Sequence, residues 1–135
     1  MNLVRIAKLR WDVMAILDAR GRCPVLEFLA ELQGPQRTAA EQMMALLRQQ
    51  IPANGPPKGA PLCKPLGDGL YELRRQPKGK KLRLVWFYGG GAVIVCAAAF
   101  TKAERTPRIE LERAKQAKED YWHARARSEL RIVER

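Results

Sequence analysis

Between Leu62 and Pro107 the chain strings strand-like segments back to back, joined by short loops of Gly, Pro and Lys. No other stretch constrains the fold as much. Segments near Leu62–Pro65, Leu70–Gln76, Lys81–Tyr88 and Ala92–Phe100 predict consecutive strands of one small sheet. Gly89-Gly90-Gly91 reads as a hairpin turn rather than a phosphate cradle. Upstream, Ile51 to Pro61 hold four prolines and two glycines, a loop of turn formers too short and too well framed to link domains.

The flanks predict helices. Trp11–Leu17 suits a first strand turned by Asp18–Gly21, with residues 1–10 as an extension of it. Pro24 fits the first position of a helix whose Val25, Phe28, Leu29 and Leu32 share one side. Gly34 ends it and Pro35 opens a second, with Ala40, Met43, Met44 and Leu47 as its apolar stripe. These two read as an antiparallel pair. Thr106 caps a long third helix with Pro107 at its first position, and Ala114, Ala117, Tyr121 and Ala124 lie along one face. At 135 residues, one domain over 1–135 is expected, with 1–10 as an N-terminal extension and 125–135 as a charged tail, read as a helical overhang.

Charge is unevenly placed. The chain has 25 basic and 14 acidic side chains, a net +11. Residues 61–105 hold nine of the bases and three of the acids, so +6, against +3 before and +2 after. Arg74, Arg75, Lys78, Lys80, Lys81 and Arg83 follow one another with no acid among them. Such a hairpin suits an anionic partner. The cysteines, Cys23, Cys63 and Cys96, are odd in number and lack metal-ligand spacing, so neither a metal nor a disulfide framework is expected. Cys96 reads as a buried small hydrophobe. No signal peptide or membrane span is read, and a reducing cytoplasm is the expected compartment.

The turn Pro77-Lys78-Gly79-Lys80 sets a register with Arg74 opposite Arg83, Leu73 opposite Leu84 and Tyr71 opposite Trp86. Alternation then sends Tyr71, Leu73, Leu82, Leu84 and Trp86 to a core face, and Glu72, Arg74 and Arg83 to the other. Two arginines held opposite each other cost stability unless an anion lies between them. A phosphate would satisfy both guanidinium forks; Glu72, neutralising both in a surface trio, is the alternative.

RNA can be cut when its 2′-hydroxyl attacks the adjacent phosphate, given a proton acceptor, a proton donor and cations around the phosphorane. Arginine supplies only the cations. A lysine placed among arginines has its charged form disfavoured, which suits proton transfer. Lys102, just past Phe100 at the end of the last strand, is the first candidate; Lys64 and Lys80 follow. Phe100 is a candidate to stack on a base. His123, the single histidine, is a candidate acid or base. No P-loop, dinucleotide fingerprint, serine elbow or His-rich metal motif is present.

The run Lys64-Pro-Leu-Gly-Asp-Gly-Leu-Tyr-Glu-Leu-Arg74, then Leu82-Arg83-Leu84, Phe100-Thr-Lys102 and Thr106-Pro107 resembles the phage-derived, HigB-like branch of the RelE/ParE toxin superfamily. Trp11-Asp-Val13 and Pro24 to Leu29 fit its beginning, and the likeness covers roughly residues 10–122. The resemblance implies an α+β fold: a small, mostly antiparallel sheet, an N-terminal helix pair packed on one side, and a C-terminal helix. It implies a type II toxin that cuts messenger RNA on the ribosome without metal or cofactor. It also implies a cognate antitoxin, commonly a helix-turn-helix protein. An antitoxin that covers a hairpin this basic should be acidic there. Carried over by position, Arg74 and Arg83 grip the scissile phosphate and Lys102 assists; Ala103 stands where the family commonly has a second lysine. A ParE-like inhibitor of DNA gyrase and a non-catalytic basic nucleic-acid-binding module remain the competing readings, because one scaffold hosts several activities.

Overall fold

The computed structural model describes residues 1–8, 12–49, 63–102 and 107–133. Trp11, the loop 51–61, Leu62, Ala103 and Thr106 lie outside the described residues. Within them the chain is a mixed α+β fold. Its elements are β1 (Asn2–Lys8), β2 (Asp12–Ile16), α1 (Pro24–Ala30), α2 (Pro35–Gln49), β3 (Cys63–Gly67), β4 (Leu70–Arg75), β5 (Lys81–Tyr88), β6 (Val93–Lys102), α3 (Arg108–Ala126) and β7 (Arg131–Val133). The strands make one sheet ordered β3-β4-β5-β6-β2-β1-β7.

The centre follows from local sequence. β3 to β6 pair antiparallel in chain order, through the Asp68-Gly69 turn, the Pro77–Gly79 turn and the Gly89–Gly91 turn. In the last, Gly90 and Gly91 take φ of 90° and 56°, conformations that suit glycine. β5, reading Lys-Leu-Arg-Leu-Val-Trp-Phe-Tyr, is buried on both faces, as a central strand with helices above and below must be.

Several expectations need correction. Residues 2–8 do not lengthen the first strand; they form a separate strand, β1, antiparallel to β2. The sheet is also larger and more mixed than expected: β2 joins β6 in parallel and β7 joins β1 in parallel. The basic tail is not a helical overhang. α3 stops at Ala126, Ser128 turns at φ 57°, and the chain comes back as β7. α3 starts at Arg108 with Pro107 as its cap, one residue later than expected. α1 and α2 begin at Pro24 and Pro35 as predicted. They match a helix pair only loosely, since each is held mainly by the sheet, α1 over β6 and β2, α2 over β4, β5, β1 and β2.

Two apolar layers result. Leu73, Leu82, Leu84, Trp86 and Tyr71 pack with Met43 and Leu47 of α2 and Val25 of α1. Tyr71 stacks on Trp86 with ring centres 4.8 Å apart. On the other side Leu70, Val85, Phe87 and Val95 pack with Ala114 and Tyr121 of α3. Tyr121 pins α3: its hydroxyl donates to the Gly89 carbonyl at 2.6 Å. A side chain at Gly89 would meet that hydroxyl at 2.6 Å, so glycine is required there. Lys115 of α3 also pairs with Asp68 at 3.3 Å. Thus α3 is anchored at the end of the sheet where the Asp68-Gly69 and Gly89–Gly91 turns lie, and the Pro77–Gly79 turn is at the opposite end.

Candidate nucleic-acid interface

Strand pairing sets Arg74 of β4 directly opposite Arg83 of β5, Leu73 opposite Leu84, and Tyr71 opposite Trp86. Arg83 in turn faces Phe100 of β6. The two arginines therefore project side by side from adjacent strands on the α3 side of the sheet, near the end that α3's anchors do not reach.

The space between them is not open. The Glu72 carboxylate sits there, with no exposed side-chain surface. Its Oε1 accepts a hydrogen bond from Arg74 Nε at 2.9 Å. Arg83 Nε lies 3.5 Å from the same oxygen, an ion pair without hydrogen-bond geometry. Arg83 Nη1 donates to the Leu82 carbonyl at 2.8 Å and the Arg75 carbonyl at 3.4 Å. Only 8% of the Arg83 side chain is exposed, against 31% for Arg74. This corrects the expected open pair: neutralisation by Glu72 is what the fold adopts, and the trio is largely buried rather than on the surface. The physical reason is desolvation. A buried guanidinium such as that of Arg83, left without an anion, costs several kcal/mol, on the order of an unpaired buried ion. Burial pulls the Arg83 pKa down, Glu72 pushes it back up, and Arg74 lowers it.

The pair is consequently asymmetric. Arg83 is turned inward onto backbone carbonyls. Arg74 is held through Nε alone, and among the described residues its two Nη groups make no hydrogen bond. An Nη pair is the planar fork that matches two oxygens of a phosphate or carboxylate. Cys63, facing Leu73 from β3, has its thiol pushed up to about 11 by burial, with Arg74 pulling it down. It stays protonated at neutral pH and is a poor nucleophile.

The structure gathers some of the remaining candidates and disperses others. Lys81 pairs in register with Lys102, the last residue of β6; the Lys102 side chain lies outside the described part. Lys64 of β3 stands opposite Glu72 in the strand register and is exposed. Lys78 and Lys80 are exposed around the turn, and Arg75 points to the opposite face from Arg74. Phe100 is buried in the layer beneath α3, which corrects its assignment as a stacking platform. His123 is not brought to the arginines. It follows Tyr121 by two residues, and Tyr121 is bonded at Gly89. Gly89 and Arg83 are six residues apart along one strand direction, roughly 20 Å at about 3.3 Å per residue.

These observations meet a family relationship. Residues 27–119 match the family described as Phage derived protein Gp49-like (DUF891). The chain belongs to this family. It is, in general terms, a family of RelE-like toxins. The matched span carries Glu72, Arg74, Arg83 and Lys102 of this Gp49-like chain, and leaves β1, β2, His123 and β7 outside it. No curated protein shows significant sequence similarity to the chain.

The sequence reading missed the depth of Glu72. Alternation places it on the face of Arg74 and Arg83, and its register partner across β5, Val85, is fully buried. An acid flanked across strands by an apolar residue and along the strand by an arginine is the signal of a buried neutraliser.

Proposed function

We propose that this Gp49-like protein is the toxin of a type II toxin–antitoxin system, of the HigB-like kind, and that it cuts messenger RNA on the ribosome without a metal. The observation that carries the reading is Arg74. Its guanidinium is anchored by a buried carboxylate, its Nη fork is unengaged within the described protein, and it stands on a hairpin whose turn exposes Lys78 and Lys80. A preorganised donor pair of this kind stabilises charge building on a phosphorane.

In this reading Arg74 grips the scissile phosphate, and Arg83 holds Glu72 and the hairpin backbone behind it. The 2′-oxygen forms a bond to phosphorus as the bond from phosphorus to the 5′-oxygen breaks. One proton leaves the 2′-hydroxyl and one reaches the 5′-oxygen. Lys102, in register with Lys81 beside the arginines, is the proposed participant in this proton traffic. His123 is too remote to share in it. The antitoxin would present acidic residues to the hairpin in the cytoplasm.

A second reading draws on a different observation. Because Glu72 fills the arginine pair and Arg83 is buried, the site also suits a ParE-like inhibitor of DNA gyrase, which needs no catalytic constellation. Inducing the protein in bacteria and mapping transcript 5′ ends separates the two, beside an Arg74→Ala variant. In-frame cuts that vanish in the variant support the nuclease. Growth arrest with intact transcripts and an induced DNA-damage response supports the gyrase inhibitor.

A further inference from the structure

The β4–β5 hairpin has a second polar side. Arg74 and Arg75 are chain neighbours, so they go to opposite faces of the sheet. Arg75 goes to the face that α2 covers. There, between the N-terminal half of α2 and the Gln76-Pro77 corner, lies a cavity of about 390 Å³. This is in the lower part of the range for small-ligand sites, about 300–1,000 Å³.

Its walls combine flat apolar surface with hydrogen-bonding ends. Pro35 and Pro77 supply the first. Thr38, Gln42, Arg75 and Gln76 supply the second. Among the described residues none of these four side chains makes a hydrogen bond or ion pair within the protein. No carboxylate lines the cavity. Two amides and a hydroxyl offer donors and acceptors together. A bare phosphate, which only accepts, would leave the amide oxygens unmatched. A nucleobase edge carries both kinds of group, and its ring can lie on proline or on a guanidinium plane.

We propose that this cavity is a subsite for one nucleobase of a single-stranded RNA whose backbone is held at Arg74. The proposal rests on the nuclease reading given above. The RNA rounds the Pro77–Gly79 turn, where Lys78 and Lys80 meet its phosphates, with Arg74 on one face of the hairpin and the cavity on the other. The Gln42 and Gln76 amides read the base edge, and Thr38 adds a third polar contact. The cavity thereby biases which sequence is cut, while Arg74 acts on any phosphate.

Gln42 and Thr38 are exposed on α2, so Gln42→Leu and Thr38→Val leave the core untouched. Transcript 5′ ends are mapped after induction of the wild type, Arg74→Ala, Gln42→Leu and the Gln42→Leu/Thr38→Val pair, with circular dichroism on each purified protein. The wild type is expected to favour one base at a fixed offset from the cut. Gln42→Leu should still cut but lose that preference by about fivefold or more, the range of one lost bidentate base contact. Base frequencies unchanged in both α2 variants would overturn the subsite and leave the Arg74 reading intact, as would a wild type with no preference at any offset. A wild type that cuts nothing overturns the nuclease reading, and the subsite with it.

Discussion

The two ends of the sheet are built on opposite terms. At the Gly89–Gly91 end, the Tyr121 hydroxyl is bonded to Gly89, its ring meets Phe87 edge-on at 5.4 Å, and Lys115 is paired with Asp68. The polar groups that pin α3 there, the Tyr121 hydroxyl and the Lys115 ammonium, are matched within the protein. At the Pro77–Gly79 end, one carboxylate serves two guanidinium groups, and the Arg74 fork, Arg75 and the Gln76 amide have no internal partner among the described residues. The contrast teaches where recognition can occur. Donors already matched inside the fold have little to offer a ligand, whereas preorganised unmatched donors lose little on meeting one.

The contrast breaks most severely at Glu72. Glu72→Ala leaves Arg83 buried without its anion, and should cost about 3–5 kcal/mol in a urea melt. A loss below about 1 kcal/mol would mean the trio is not buried as described. Arg74→Ala comes next and should behave differently. On the nuclease reading it should lower cutting by about 100-fold, while costing less stability than Glu72→Ala, because Arg83 still pairs with the buried carboxylate. Equal losses of activity and stability would erase the distinction between the ends.

Tyr121→Phe tests the other end. Losing the hydroxyl leaves the Gly89 carbonyl unmatched, for about 1–2 kcal/mol, with RNA binding unmoved. The same residue carries a pH signature. Burial raises the Tyr121 pKa, with Arg125 opposing, so the fold holds the neutral phenol. Its contribution is complete below the ordinary value of about 10 and is lost as pH climbs through the higher folded value. Stability measured across that alkaline range should fall less steeply in Tyr121→Phe than in the wild type.

The smallest expected effects lie at the margins of the hairpin. Lys78→Gln and Lys80→Gln together should weaken binding to single-stranded RNA homopolymers uniformly, and reduce the slope of log affinity against log salt by about 1.4 for two phosphate contacts at about 0.7 each. Cys63 gives a quiet readout of Arg74. Its thiol is held near 11 with Arg74 pulling it down, so Arg74→Ala should slow alkylation at pH 8, by less than about tenfold. Faster alkylation in that variant would contradict the assigned direction.

Much of the central hairpin was legible because its information is local. The turn residues and the two-residue alternation were enough to set Arg74 against Arg83 and to sort Tyr71, Leu73, Leu82, Leu84 and Trp86 onto one face. Alternation names a face but not a depth, so it did not show that Glu72 and Arg83 are buried while Arg74 is not. The placing of β1 and β7 was not legible either. Their partners come from the far end of the chain, Leu3 beside Ile132, and no local pattern encodes such a pairing.

By itself, then, the amino-acid order determined an α+β chain with a basic hairpin and opposed arginines, because strand period and turn chemistry act over a few neighbouring residues. Only the tertiary structure decided that Glu72 would fill the gap, that Arg83 would turn inward, that His123 would lie far from both arginines, and that α2 would meet Gln76 across a polar cavity. Those outcomes depend on which surfaces lose water together, a property of the packed layers that no single segment carries.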